Sequence, residues 1–336
     1  MSGVGQPDLF PSSLEARASD TAPRAARVGP AAAGAEWQGL AQCLPPTLRF
    51  GTSTWSFPGW EGIVYDRGCR ESELARHGLA AYARHPLLRA VGIDRSFYAP
   101  VPRAELERQA AATGADFRFL MKAHAALTTP RSARRPAFLA GVPEAFLDVD
   151  HALRHVVEPA VTALGERLGV LLFQFSPLGR RVLDYRLPLL ERLHDFLRAL
   201  PRGPTYAVEW RDPEMLGADY HAMLADVGAV HGLCAHPRMP PLTMQESARP
   251  GPCPLVIRWL LGQGRSYDEA RAAFAPFDRL AEPDVAARAA IGGLVRVATE
   301  AGRQALVIVN NKAEGSAPLS IFELARSIAG PAAAAC

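Results

Sequence analysis

Glu209 and Arg211 stand two residues apart in Thr205-Tyr206-Ala207-Val208-Glu209-Trp210-Arg211-Asp212. Tyr206, Ala207 and Val208 read as a short buried strand, and the period of two along a strand places Glu209 and Arg211 on one face. An acid and a base sharing a strand end can transfer a proton, hold an anion, or neutralise each other as an ion pair. Polar residues end or follow other apolar runs in the same way. Asp94, Ser96 and Tyr98 follow residues 90–93, Lys122 ends 117–122, Gln174 closes 170–174, Arg258 lies in 255–259, and Asn310 and Asn311 follow 305–309. Trp55 ends the first such run.

These ends need a scaffold that gathers them. Strands are expected at 48–55, 90–94, 117–122, 170–175, 206–208, 230–234, 255–259 and 305–309. Helical patterns fall at 71–85, 102–113, 150–164, 187–200, 218–227, 284–301 and 320–328. Near-continuous apolar runs such as Val170-Leu171-Leu172-Phe173 suit parallel strands buried on both faces. The alternation predicts an α/β chain folded as a single (β/α)8 TIM-type barrel, with an open parallel sheet as the alternative because strands two and six are weaker.

In a barrel, carboxyl ends of strands surround one mouth, where active sites lie. The catalytic candidates are Glu209, Lys122 and Asp94, with Trp55, Ser96, Tyr98, Gln174, Arg211, Arg258, Asn310 and Asn311 as the substrate-binding set. Glu209 is expected to transfer the proton, Lys122 to partner it, stabilise charge or form a Schiff base, and Arg211 and Arg258 to clamp an anion. Trp55 and Tyr98 would form an apolar wall. Three cations facing two acids favour a small anionic or sugar-like substrate. The 310–318 loop lies where barrels often hold phosphate; Gly315 and Ser316 could present backbone donors there, or Gly315 and Pro318 could simply shape the turn. A structural hydrogen-bonded network and a non-catalytic binding barrel are the other readings of this mouth.

Composition narrows the classes. The 336 residues exceed one average domain but fit one barrel with a tail, and 37 Lys and Arg against 34 Asp and Glu leave a net charge of +3, too small for a nucleic-acid coat. No run approaches a membrane span and no apolar signal core opens the chain, so the expectation is a cytoplasmic protein with no membrane partner. Five cysteines without Cys-x-x-Cys spacing suggest structural thiols. No cofactor is expected; the divalent-metal candidates His124, Glu209, Cys234 and His236 have no recognisable spacing.

Residues 1–46, rich in Ala, Pro, Arg, Gly and Ser, are expected to form a disordered tail, 47–330 the barrel and 331–336 a flexible C-terminus. Within the tail, Gln6-Pro7-Asp8-Leu9-Phe10 resembles the short peptide by which bacterial proteins dock on the replication sliding clamp. Leu9 and Phe10 would enter an apolar groove while Gln6 orients them. A DNA-repair or replication-associated protein is therefore the alternative to the small-molecule enzyme.

Six stretches, in order, carry a family resemblance: Gly51-Thr52-Ser53-Thr54-Trp55-Ser56-Phe57-Pro58-Gly59-Trp60, Ile93-Asp94-Arg95-Ser96-Phe97-Tyr98, Phe119-Leu120-Met121-Lys122, Leu171-Leu172-Phe173-Gln174-Phe175-Ser176-Pro177, Val208-Glu209-Trp210-Arg211 and Val309-Asn310-Asn311. Over about residues 48–329 they resemble the YecE-like family, domain of unknown function 72. The resemblance implies a TIM-barrel fold and names no settled activity. The chain departs from the family's pattern where Asp94-Arg95-Ser96-Phe97-Tyr98 stands for Glu-x-Asn-Ser/Thr-x-Phe-Tyr, shortening the acid and replacing the amide by a cation, where Arg258-Trp259-Leu260-Leu261-Gly262 lacks a His, and where Asp212 replaces a His common after Arg211.

Overall fold

The period of two that runs through the apolar stretches closes them into a cylinder. The computed structural model describes residues 27–130, 136–246 and 253–330. Its strands are β1 Leu48–Thr52, β2 Leu88–Ile93, β3 Arg118–Lys122, β4 Leu168–Gln174, β5 Tyr206–Glu209, β6 Val230–Ala235, β7 Leu255–Trp259 and β8 Ala305–Val309. They pair in parallel in chain order, and β8 returns to β1 with Leu48 opposite Ala305 and Thr52 opposite Val309. The barrel is therefore closed, which removes the open-sheet alternative.

Alternate residues face inward and outward. Ala90, Leu120, Val170, Leu172, Ala207, Val230, Val256, Leu306 and Ile308 pack together inside the barrel. The residues between them, among them Phe119, Met121, Phe173, Val208, Ile257 and Val307, join the larger core shared with the surrounding helices. Each buried Val, Leu or Phe contributes on the order of 1.5–3 kcal/mol by leaving water, so both faces of every strand favour closure.

The helix layer follows its apolar stripes. Helix Arg186–Ala199 buries Leu189, Leu190, Leu193, Phe196 and Leu197, and Phe196 meets Phe173 of β4 edge-on at 5.2 Å. Helix Val285–Glu300 is capped by Asp284, whose side chain accepts from the Ala287 N–H. The closing helix, Ala317–Ala329, begins three residues before the expected start because Pro318 fits its first turn, where a missing N–H is no loss. The expected 71–85 helix is divided into Glu71–His77 and Leu79–Tyr82, with Gly78 between. Helix Tyr267–Phe274 was not foreseen, although Ser266 and Glu269 form a reciprocal capping box visible in the sequence.

The tail boundary expected at 46 is corrected. Residues 27–46 lie against the barrel: the Ala31 N–H donates to the Val64 carbonyl, and helix Ala35–Cys43 packs on the closing helix. Trp37 stacks on Phe322 at 4.3 Å and buried Leu40 follows one turn later. Two large apolar side chains on one helix face suffice to dock a segment whose Ala, Pro and Gly content reads as tail. Gln6, Leu9 and Phe10, and residues 331–336, lie outside the described residues.

Candidate functional site

Above the apolar interior the inward row turns polar. Leu120 is followed two residues on by Lys122, Leu172 by Gln174, Ala207 by Glu209, Val256 by Arg258, and Ala90, past Gly92, by Asp94. The residues that close the barrel thus aim the next layer at a common point. Gly232 supplies no side chain to that layer, and a Cβ there would lie 3.5 Å from Glu209 Cβ and 3.2 Å from Leu172 Cδ1. A side chain there would press first on the Leu172 methyl.

Arg258, 1% exposed, spans the mouth. Its Nη1 donates to Glu209 Oε1 at 3.0 Å and Oε2 at 3.3 Å; its Nη2 donates to Asp94 Oδ2 at 3.0 Å and Oδ1 at 3.2 Å. Arg211 Nη2 reaches Glu209 Oε1 at 2.5 Å, and its Nη1 donates to the Trp210 carbonyl. Glu209, wholly buried, therefore lies between two guanidiniums. Burial alone would raise its carboxyl pKa, but Arg211, Arg258 and Lys122 outweigh burial and hold it below the usual carboxylate value. Burial opposes the Arg258 charge, and Asp94 and Glu209 more than restore it.

Lys122 completes the group. Its Nζ lies 3.8 Å from Asp94 Oδ2 and 4.7 Å from the Phe97 ring centroid. Burial pulls the Lys122 ammonium down to about 8, with Asp94 opposing the shift and Arg258 adding to it. The Asp94 side chain keeps 26% of its exposure, whereas that of Glu209 keeps none. Two apolar clusters flank the opening: Phe97, Tyr98, Phe138 and Leu139 beyond β2 and β3, and Phe57, Leu261, Phe274 and Phe277 beyond β1 and β7.

The structure brings Asp94, Lys122, Glu209, Arg211 and Arg258 together and distributes the remaining candidates around them. Gln174 sits opposite Glu209 in the β4–β5 register, its amide 3.4 Å from Ser176 Oγ. Tyr98 borders the opening; burial, reinforced by Asp94, pushes its phenol up to about 12. Ser96 is a tie: its hydroxyl contacts the Ile93 carbonyl at 2.5 Å and the Lys122 carbonyl at 2.7 Å, joining the ends of β2 and β3. Asn310 donates to Ser53 Oγ at 3.2 Å, and Asn311 Oδ1 caps Ala317 of the closing helix at 2.8 Å. Trp55 does not form a wall of the mouth, because its indole donates to the Leu74 carbonyl and its ring belongs to the core under the helices. The expected Gly315 donor is also committed, its N–H pointing to the Asn311 carbonyl at 2.7 Å.

Sequence reasoning passed over Phe97, Tyr267 and Lys312. Lys312, 4% exposed, holds its ammonium 4.1 Å from the Tyr267 ring centroid. Its place directly behind Asn310-Asn311 was the available signal. Among the described residues no three His, Cys, Asp or Glu side chains converge as a metal would require. Instead His124 Nδ1 lies 3.3 Å from His151 Nε2, burial raises the Cys234 thiol to about 12, and burial lowers His236 to about 4. No described helix is long and apolar enough to cross a membrane.

Comparison with solved structures gives the same barrel. A DUF72 family protein from Thermotoga maritima MSB8 is similar at 18% identity and TM-score 0.53, over 82% of this chain and 97% of that one. A DUF72 family protein from Enterococcus faecalis V583 is similar at 16% identity and TM-score 0.51, over 84% and 95%. At such identities the likeness shows the fold alone. A search of curated proteins gives no match. The family profile described as "Protein of unknown function DUF72" matches residues 49–335, in agreement with the YecE-like signatures, and the chain therefore belongs to the DUF72 family.

Proposed function

We propose that this chain is an enzyme in which Asp94 and Lys122 transfer a proton on a small anionic substrate, over a charged frame of Glu209, Arg211 and Arg258. The contrast within the mouth supports this reading. Glu209 is sealed, doubly paired with guanidiniums and held low, so it is a poor proton acceptor near neutral pH. Asp94 is braced by Arg258 as well, but its side chain keeps 26% of its exposure and can be reached, and Lys122 near 8 exists as both amine and ammonium close to neutrality, the condition that favours acid/base work. The role first given to Glu209 passes to this couple; Glu209 acts through Arg258 as a positioning residue. Both arginines are occupied by carboxylates, so they set the potential of the mouth rather than grip the substrate. We place this activity in the cytoplasm, in keeping with the lack of a paired-cysteine pattern.

The test is a thermal-shift screen of sugar phosphates, carboxylic acids and nucleotides on the wild type, Asp94→Asn and Lys122→Met. At least one compound is expected to raise the wild-type melting temperature, with the shift reduced in both variants. A panel without effect on the wild type, or variants that respond as the wild type does, would sink the reading. Borohydride trapping with aldehydes and keto acids sharpens it. If the Lys122 amine adds to a carbonyl and water leaves, hydride reduces the C=N bond and the adduct is read by mass on the wild type and not on Lys122→Met.

A further inference from the structure

Lys312 is a buried cation that the Asp94–Lys122 couple does not use. It lies in the turn Asn311–Ala313 directly after β8, and its backbone is pinned on both sides. Its N–H donates to Asn310 Oδ1 at 3.0 Å, and its carbonyl accepts from the Gly262 N–H of the loop after β7 at 3.1 Å. The ammonium stands over Tyr267 at 4.1 Å and Phe277 at 5.5 Å from the ring centroids.

Its environment differs from that of the other buried charges. Arg258 and Glu209 pair with each other, and Glu314, two residues along the same loop, pairs with Arg288 at 2.8 Å. No carboxylate among the described residues forms an ion pair with Lys312. The charged groups that act on it are Arg271, which opposes its charge, and Asp94 and Asp268, which favour it. Asp94 is already bound by Arg258 through both oxygens. Taking an ammonium out of water costs several kcal/mol, and two ring faces return only about 0.5–2 kcal/mol each. Burial accordingly lowers Lys312 to about 8. An incoming oxyanion would offset that cost, and the rings would flank the apolar body that carries it.

We propose that Lys312, framed by Tyr267 and Phe277, is an anion subsite at the rim of the barrel mouth that takes the phosphate or carboxylate end of the substrate. This rests on the reading that Asp94 and Lys122 act on the other end. The site replaces the backbone-donor site expected in this loop, because the Gly315 N–H is spent within the turn while the Lys312 ammonium is not.

The experiment measures stabilisation of the full chain by inorganic phosphate and, separately, by acetate, at constant ionic strength. The proteins are the wild type, Lys312→Met, Lys312→Arg and Lys122→Met. One of the two anions is expected to raise the wild-type melting temperature, and which one separates phosphate from carboxylate chemistry. Lys312→Met should weaken the anion's apparent affinity at least about ten-fold, Lys312→Arg should restore most of it, and Lys122→Met should stay within about three-fold of wild type. A lysine that only packs on the rings would lower the melting temperature of Lys312→Met equally with and without the anion, and that result overturns the subsite. If Lys122→Met loses the anion while Lys312→Met keeps it, the subsite falls and the couple stands. If neither substitution changes the response, the subsite falls and the couple is judged by the wider screen. Absence of any response in the wild type overturns the subsite and leaves the couple to the wider screen.

Discussion

At the N-terminal end of the barrel, Arg49 and Arg89 both reach Asp116, and Arg49 also donates to Gln304 at 2.9 Å. At the C-terminal end, Arg258 reaches Glu209 and Asp94. The side-chain types are the same, but the Asp116 side chain keeps 52% of its exposure and that of Arg89 39%, while Arg258 keeps 2% and Glu209 none. At the lower end Arg49 is as buried as Arg211, but water can replace Asp116 or Arg89. At the upper end Arg258 and Glu209 depend on each other, because either left alone there has no solvent to turn to. Charge at a barrel end is therefore unremarkable, and the sealed end marks the functional candidate.

Removing the central cation tests this contrast most severely. Arg258→Met leaves Glu209 with Arg211 alone and Asp94 with Lys122 alone, and is expected to cost about 3–5 kcal/mol in chemical denaturation. A loss below about 1 kcal/mol would mean that the upper pairs behave like solvated ones.

Acid provides the next test. Glu209 is held below its usual value near 4.5, so its contribution to stability is present above that pH and is lost as pH falls through the lower folded value. Glu209→Gln should be less stable at neutral pH and lose less than wild type on acidification; parallel acid curves would contradict the assignment.

Lys122 gives a signature of the same sign in an alkaline window. Between about 8 and 10.5 the unfolded chain holds a proton that the folded chain has released, so stability should rise with pH across that window. Lys122→Met should remove its share of the rise, about 3 kcal/mol, with Lys312 contributing a second rise of the same sign. An unchanged slope in the variant would show that Lys122 titrates normally. The smallest effect belongs to the lower end, where Arg89→Ala should change stability by less than about 1 kcal/mol.

Much of this contrast was legible in the chain. Runs such as Val170-Leu171-Leu172-Phe173 declare strands apolar on both faces, and counting by two from Leu120, Ala207 and Val256 arrives at Lys122, Glu209 and Arg258. What the sequence could not specify was commitment. The Asp94–Arg258 contact spans 164 positions, and no local spacing reveals that both ends of the guanidinium are occupied. Trp55 misled because its direction is set by the Leu74 carbonyl of a helix still ahead in the chain. Trp37 and Leu40 were hidden by their Ala-rich surroundings, and Lys312 by a loop whose Gly and Ser invited a backbone reading.

The Arg258 brace also bears on the order in which the molecule assembles. Its partners lie 49 and 164 positions back in the chain, on opposite sides of a cylinder that must close before they can meet. Contacts of such separation form after most of the apolar surface is already covered. Arg258→Met should therefore speed unfolding and leave the refolding rate nearly unchanged, so the chevron of the variant should shift on its unfolding limb. Refolding slowed in proportion to the lost stability would place the brace in the folding nucleus. Otherwise the same guanidinium that organises the mouth serves as a latch, fastened last and governing how long the closed barrel persists.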